Sequence, residues 1–161
     1  MESIIEKKSC VGCKACGDIC PQQAISFPID EEGFWYPQID QSKCIDCHLC
    51  ERACPVLQRP ERQMSNQKQP LVYAAYHAKH DIRCNSTSGG MYYALAENIL
   101  AQGGWLAGCV YTEDFDHAEH IVSNTMEGLH RIMRSKYFQS DTHGVYKKVK
   151  KLLCSGEMVL F

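Results

Sequence analysis

The pattern of apolar and polar residues divides the chain into two parts. Residues 4–57 contain short apolar runs between cysteines, whereas residues 71–161 alternate between extended and helical patterns. In the second part, Tyr92, Leu95 and Ile99 recur at helical spacing, and short apolar runs are typical of buried strands. The pattern predicts strands at 71–77, 105–111, 117–123 and 158–161, and helices at 91–102, 126–133 and 144–154.

The first part is predicted to contain a hairpin. Residues 22–27 lead from a helical turn into a strand, and residues 34–39 return as a second strand after a turn at Gly33. Residues 58–70 are mostly polar and contain two prolines, which is typical of a linker. We therefore expect domains at 1–57 and 71–161, joined by a linker at 58–70.

Composition and charge argue against two kinds of partner. The formal net charge of −2 gives no whole-chain attraction for nucleic acid. No apolar run approaches the roughly 18 residues needed to span a bilayer, so no membrane span is expected. The first eight residues carry acids and lack the apolar core of an export signal, so we expect a cytoplasmic protein.

Eight of the 11 cysteines fall into two blocks of identical spacing. One block reads C-V-G-C-K-A-C-G-D-I-C-P from Cys10 to Pro21, and the other reads C-I-D-C-H-L-C-E-R-A-C-P from Cys44 to Pro55. This is the cysteine run of bacterial two-cluster ferredoxins, in which the fourth cysteine of each run binds the other cluster. The spacing therefore predicts two 4Fe-4S clusters, one bound by Cys10, Cys13, Cys16 and Cys54, and one by Cys44, Cys47, Cys50 and Cys20.

The surroundings of the clusters can also be anticipated. We expect six apolar side chains to shield them, namely Val11, Ile19, Ile25, Ile45, Leu49 and Val56. The remaining cysteines, Cys84, Cys109 and Cys154, lack ligand spacing and are interpreted as ordinary thiols. A unit this small has little apolar surface to bury, so its folding is expected to depend on the clusters.

Two alternatives remain open for the cysteine blocks. A four-cysteine zinc site uses two C-x-x-C pairs separated by a longer loop, which fits the doubled run poorly. The clusters could also be purely structural, although two clusters in one small unit more often serve electron transfer.

Short motifs elsewhere occur in a characteristic order. Arg83 is followed by Ser86-Thr87-Ser88-Gly89-Gly90, and further motifs stand at 32–37, 103–104, 135–140 and 156–161. In this order they resemble the coenzyme F-420 hydrogenase/dehydrogenase beta-subunit family. The resemblance implies that the clusters exchange electrons with FAD or another flavin, which in turn reacts with a deazaflavin coenzyme. Members of that family usually continue into a further domain.

The resemblance also implies a cofactor-binding site in the second domain. Its residues are Ser86, Thr87, Ser88, Gly89, Gly90, Ser135 and Lys136. The hydroxyls, backbone amides and helix N-terminus near 86–90 suit a phosphate, but an ordinary N-cap and tight turn fits equally well. Lys136 and Arg134 form a positive pair that can meet an anionic cofactor, and Arg134 stands where the family often has glycine. No catalytic residue is predicted.

These observations predict an α+β fold, with a ferredoxin-like two-cluster domain followed by an incomplete α/β domain. The sequence ends on the apolar run 158–161, from which we expect it to be the N-terminal part of a longer protein. The first functional hypothesis is the cluster-bearing part of a flavin-linked oxidoreductase, acting with a redox partner protein or a coenzyme. The alternatives are a non-enzymatic ferredoxin-like electron carrier with a docking module, and a truncated remnant with structural clusters.

Overall fold

The computed structural model describes residues 4–58 and 71–161. Apart from residue 58, the predicted linker lies outside the described residues. The described residues form two compact units. The first contains residues 4–58 with Thr142–Lys147, and the second contains residues 71–141 with Lys148–Phe161. The predicted domain boundaries remain a prediction, and the sequence pattern did not indicate that Thr142–Lys147 belongs with the first unit.

The first unit consists of two short helices and a small hairpin. Helix α1 covers Ala15–Ile19, strand β1 Ile25–Ser26, strand β2 Gln38–Ile39 and helix α2 Leu49–Ala53, after a 3-10 turn at Lys7–Ser9. The two strands pair antiparallel, with Ile25 opposite Ile39, which confirms the predicted hairpin. Asp30 holds its turn, because Oδ1 accepts hydrogen bonds from the backbone N–H groups of Glu32 and Phe34 at 3.0 and 2.9 Å.

The second unit is built on a four-stranded mixed sheet. Its strands are β3 at Trp105–Tyr111, β4 at Ala118–Ser123, β5 at Ser140–Asp141 and β6 at Val159–Leu160, in the order β5-β4-β3-β6. Strands β3 and β4 are antiparallel, and each outer strand runs parallel to its neighbour. The helices are α3 at His80–Cys84, α4 at Met91–Ala101, α5 at Met126–Ile132 and α6 at Val145–Cys154. The first turn of α6 belongs to the first unit.

Helices α4 and α5 pack on the sheet and enclose the core of the second unit. The buried core residues are Ala96, Leu106, Val110, Leu129, Ile132 and Met133. Gly108 allows α5 to approach β3 closely, since a Cβ at this position would overlap Cγ2 of Ile132. The structure is thus mixed α and β, and the predicted helices at 91–102, 126–133 and 144–154 are confirmed to within two residues. In the described ranges, no helix combines the length and apolar character needed to cross a bilayer.

The prediction of a buried strand at 71–77 is wrong. This segment forms no strand, and Leu71, Val72 and Tyr73 are 81%, 88% and 79% exposed. The end of this segment lies beside the turn at Gly89, since the backbone N–H of His77 donates to the Gly89 carbonyl at 2.7 Å. A short apolar run does not by itself specify a strand, because a strand also needs a neighbouring strand to pair with, and that strand can lie far away in the sequence. Helix α3 and the two-residue strand β5 were not predicted, since neither has an apolar pattern.

Candidate metal centre

The eight cysteines of the two blocks surround two recesses in the first unit. Cys10, Cys13, Cys16 and Cys54 line one recess, and Cys20, Cys44, Cys47 and Cys50 line the other. Each recess therefore takes three cysteines from one block and the fourth from the other block. This is the crossed grouping that the spacing predicts, and it places four soft sulfur donors at each recess.

The backbone follows the same course in both blocks. Lys14 and His48, at equivalent positions before α1 and α2, both adopt the left-handed conformation with φ of 56°. After each helix, Cys20 and Cys54 are extended, with ψ of 115° and 116°. The sequence repeat is therefore also a structural repeat, and each short helix directs its last cysteine toward the recess formed by the other block.

The cysteine sulfurs lie in an environment suited to metal-bound thiolates. All 11 cysteines are free thiols. The backbone N–H of Gly12 donates to Sγ of Cys10 at 3.5 Å, and that of Ala24 donates to Sγ of Cys20 at 3.4 Å. Burial raises the pKa of the Cys16 thiol to about 12 and also raises the pKa of Cys50. A bound metal replaces these protons, because the thiolate is the ligand.

The cysteines at the two recesses provide the donor set of 4Fe-4S clusters. Among residues 4–58 and 71–161, no three histidine, cysteine or carboxylate side chains are grouped to hold one metal ion. Four cysteines line each recess, which is the number of thiolate ligands that a 4Fe-4S cluster uses. The donor set thus fits the 4Fe-4S clusters that the spacing predicts.

The predicted apolar shield is only partly formed. Val11 and Val56 line the first recess, and Ile25, Ile45 and Leu49 line the second. Ile19 lines neither recess. Val11 and Ile45 are 59% and 60% exposed, so these two side chains leave much of their surface in solvent.

A distant segment of the chain completes the first cysteine block. The Thr142 hydroxyl donates to the carbonyl of Cys13 at 2.6 Å. The Asp18 carboxylate, whose side chain is 2% exposed, accepts from the backbone N–H groups of Gly144 at 2.7 Å and Tyr146 at 3.0 Å. Asp18 therefore caps the first turn of α6, where backbone N–H groups otherwise lack intrahelical partners.

Sequence reasoning missed this cap. Asp18 stands between two predicted ligands, Cys16 and Cys20, and looks like an ordinary spacer residue. Its hydrogen-bond partners lie more than a hundred residues away, and no local pattern connects them. One signal was available in the sequence. The predicted helix begins at Gly144, and neither Gly144 nor His143 has a side chain of the usual N-capping type, so the cap had to come from elsewhere.

The predicted cofactor residues are not brought together in one place. Ser86 lines a cavity of about 460 Å³ in the second unit, but Thr87, Ser88, Gly89 and Gly90 do not. The latter form a tight turn in which Ser88, Gly89 and Gly90 have φ of 50°, 67° and 79°. Gly90 also allows close packing, since a Cβ there would lie 3.0 Å from Cβ of His77.

Lys136 and Ser135 lie apart from this cavity. The ammonium group of Lys136 donates to the carbonyls of Arg131, Ile132, Met133 and Arg134 at 2.8–3.1 Å. It thus caps the C-terminal end of α5. Ser135 is exposed, and neither residue lines the cavity of Ser86. Arg134 does line that cavity.

Comparison with known proteins agrees with the geometry of the first unit. Residues 9–57 match the family described as a 4Fe-4S dicluster domain. The chain is 34% identical over 55 residues to an uncharacterized ferredoxin of Methanocaldococcus jannaschii, a match that covers 34% of this chain and 70% of that protein. It is also 33% identical over 63 residues to an uncharacterized polyferredoxin-like protein of the same organism, covering 34% of this chain and 37% of that protein.

A third relative is the pyruvate synthase subunit PorD of Thermotoga maritima. It is 31% identical over 71 residues, which cover 42% of this chain and 68% of that protein. Through its cysteine blocks, the chain therefore belongs to the 4Fe-4S dicluster ferredoxin family. It is an iron–sulfur electron-transfer protein.

Replacing Asp18 with alanine is expected to destabilise the protein by about 1–2 kcal/mol, because the first turn of α6 loses its cap. Asp18→Asn, which keeps an acceptor oxygen, should cost less. The measurement is urea denaturation of anaerobically purified protein, followed by circular dichroism and by cluster absorption. Asp116→Ala, an exposed aspartate of the second unit, is the control and should change stability by less than about 0.5 kcal/mol. An Asp18→Ala midpoint equal to that of the control would show that the cap contributes nothing.

Proposed function

We propose that this protein transfers electrons through two 4Fe-4S clusters held in crossed fashion by its two cysteine blocks. The first cluster is bound by Cys10, Cys13, Cys16 and Cys54, and the second by Cys20, Cys44, Cys47 and Cys50. The observation that carries the proposal is the lining of two separate recesses by these two sets of four sulfurs. When bound, each cluster supplies one-electron redox chemistry.

The chain's own groups control that chemistry in two ways. The cysteine sulfurs hold the clusters, and N–H groups such as those of Gly12 and Ala24 stabilise negative charge on the sulfurs. The helices α1 and α2 also couple the sites, since each helix contains a ligand of one cluster and is followed directly by a ligand of the other. Replacing a cysteine in one block is therefore expected to affect both clusters. The larger effect should fall on the cluster that loses its ligand.

Substituting single cysteines tests the crossed ligation. Cys54→Ser is expected to alter the same cluster signal as Cys13→Ser, and a different signal from Cys47→Ser, because Cys54 lies at the first recess. Electron paramagnetic resonance of the dithionite-reduced protein, with potentiometric titration, distinguishes the two clusters. Cys84→Ser, an exposed thiol outside both blocks, is the matched control and should leave both signals unchanged. If Cys54→Ser instead altered the signal affected by Cys47→Ser, the crossed assignment would be wrong.

We propose further that the electrons pass to or from a flavin in a cytoplasmic oxidoreductase resembling the coenzyme F-420 hydrogenase/dehydrogenase beta subunit. In this proposal, residues 71–161 are the opening portion of its flavin-binding α/β domain, and a deazaflavin is one candidate acceptor. Two observations support it: the order of the motifs from Arg83 to Phe161, and the cavity of about 460 Å³ that Ser86 lines. The cavity volume lies within the range of about 300–1,000 Å³ typical of cofactor sites.

The competing proposal is an electron carrier without flavin, in which the second unit docks a redox partner protein. It is favoured by the similarity to PorD, which is named as a subunit of pyruvate synthase. Under either proposal, the clusters exchange electrons with a group that the first unit does not itself contain.

Cofactor content separates these two proposals. Anaerobic purification is expected to yield about eight irons and eight sulfides per chain, as two cubane clusters require. The oxidoreductase proposal predicts in addition a flavin that copurifies or binds when added, detected by fluorescence after denaturation. Full cluster content with no flavin bound at any concentration tested would leave the carrier as the function of this chain.

A further inference from the structure

We infer that Arg134 is the anion-binding residue of the cavity in the second unit, and that this cavity takes a phosphate-bearing ligand. The inference deepens the flavin proposal and rests on it for the identity of the ligand as a flavin phosphate. The requirement for an anion rests on the cavity alone. The sequence predicts only a positive pair of Lys136 and Arg134; the structure places Lys136 on the carbonyls at the end of α5 and leaves Arg134 as the member of the pair that lines the cavity.

The cavity combines an apolar wall with several converging polar groups. Its lining consists of Asp81, Ile82, Asn85, Ser86, Tyr93, His130, Met133 and Arg134. The rings of Tyr93 and His130 lie 6.1 Å apart at an interplanar angle of 31°, and both face the same space. Aromatic surface beside a guanidinium and an imidazole suits a ligand with both a planar ring and a negative charge.

One polar group in the lining lacks a partner among the described residues. The hydroxyl oxygen of Ser86 is buried and has no hydrogen-bond partner in the described part of the chain. A buried hydroxyl left in this state is unfavourable. This oxygen has almost no accessible surface and lies 3.6 Å from the place of a Cβ on Gly90, so it faces the turn at Gly90 and gives no separate support for a ligand.

Arg134 adopts a backbone conformation that is unfavourable for any residue except glycine. Its φ is 73°, in the left-handed region where a Cβ meets the following carbonyl. Glycine would relieve this strain. The Nε of Arg134 donates to the carbonyl of Asn85 at 3.1 Å, which fixes the guanidinium beside the cavity and beside Ser86.

The charges around the cavity favour an anion. The C-terminal end of α5 would place partial negative charge at Met133 and Arg134. Lys136 offsets it by donating to the last four carbonyls of this region. Asp81 is the one acid in the lining, and its side chain is 98% exposed, so water screens its charge. Arg134 is therefore the cation of the lining that is placed to contact an anion.

The test compares ligands that differ only in a phosphate. Riboflavin and FMN are titrated into the full chain with its clusters in place, and inorganic pyrophosphate is titrated separately by calorimetry. The wild type is expected to bind FMN at least about tenfold more tightly than riboflavin, as a charge-assisted guanidinium contact implies. Arg134→Gly should bring FMN affinity down to that of riboflavin, abolish pyrophosphate binding and raise the thermal midpoint by relieving the strained φ.

Two further variants keep the result interpretable. Arg134→Lys keeps a positive charge and the strained backbone, so it should retain part of the FMN preference without a gain in thermal midpoint. Arg134→Gln keeps the strain and removes the charge, so it should lose the preference even if Arg134→Gly fails to fold.

The outcomes separate this inference from the flavin proposal. If pyrophosphate binds through Arg134 but neither flavin binds, the flavin proposal fails and the anion site stands. If FMN and riboflavin bind equally to the wild type, or if Arg134→Gln leaves FMN and pyrophosphate affinities unchanged, Arg134 is not the anchor. Absence of binding by FMN and by pyrophosphate alike would overturn the inference altogether.

Discussion

Sulfur ligation is the interaction on which the first unit depends, because this unit has almost no apolar interior. Of its described residues, the buried hydrophobic ones are Ile4, Ala24 and Val145. Two helices of five residues and a hairpin of two-residue strands cannot bury enough surface to balance the entropy lost on folding. Eight cysteines around two recesses provide another source of stability. Bonds from these cysteines to iron cross-link distant parts of the unit and take the place of a hydrophobic core. The second unit instead has an apolar core between its sheet and its helices.

The two cysteine blocks share a backbone but not their surroundings. Position 18 is an aspartate buried against the first turn of α6, whereas the equivalent position in the second block is Arg52, which is exposed. Lys14 is buried, with its ammonium 4.0 Å from the ring centre of Trp35, whereas the equivalent His48 is exposed. Because charge and solvent near a cluster set its potential, this asymmetry gives two clusters with equal ligands different electronic surroundings.

The features that could be predicted are those encoded by local spacing. Most helices and strands of the second unit follow from patterns that span a few residues. The grouping of Cys10 with Cys54 follows from the crossed ligation that is typical of such cysteine blocks. The cap formed by Asp18 could not be predicted, because its partners are far away in the sequence. The run at 71–77 is apolar but exposed, so apolar character alone does not predict burial. For Lys136 the resemblance implies a cofactor contact, and its position just after α5 is also that of a C-terminal cap, which the structure shows. The positive φ of Arg134 is a conformation that suits glycine, the residue that the resembling family often has at this position.

The most direct test of this account is hydrogen exchange before and after the clusters are removed from the full chain by an iron chelator. If sulfur–iron bonds replace the core of the first unit, iron and sulfide will be released together. The amides of α1 and α2 will then lose their protection, while those of β3 and β4 keep theirs. Protection of α1 and α2 that persists after all iron has been removed would contradict the account, because it would show that the first unit is held together without clusters.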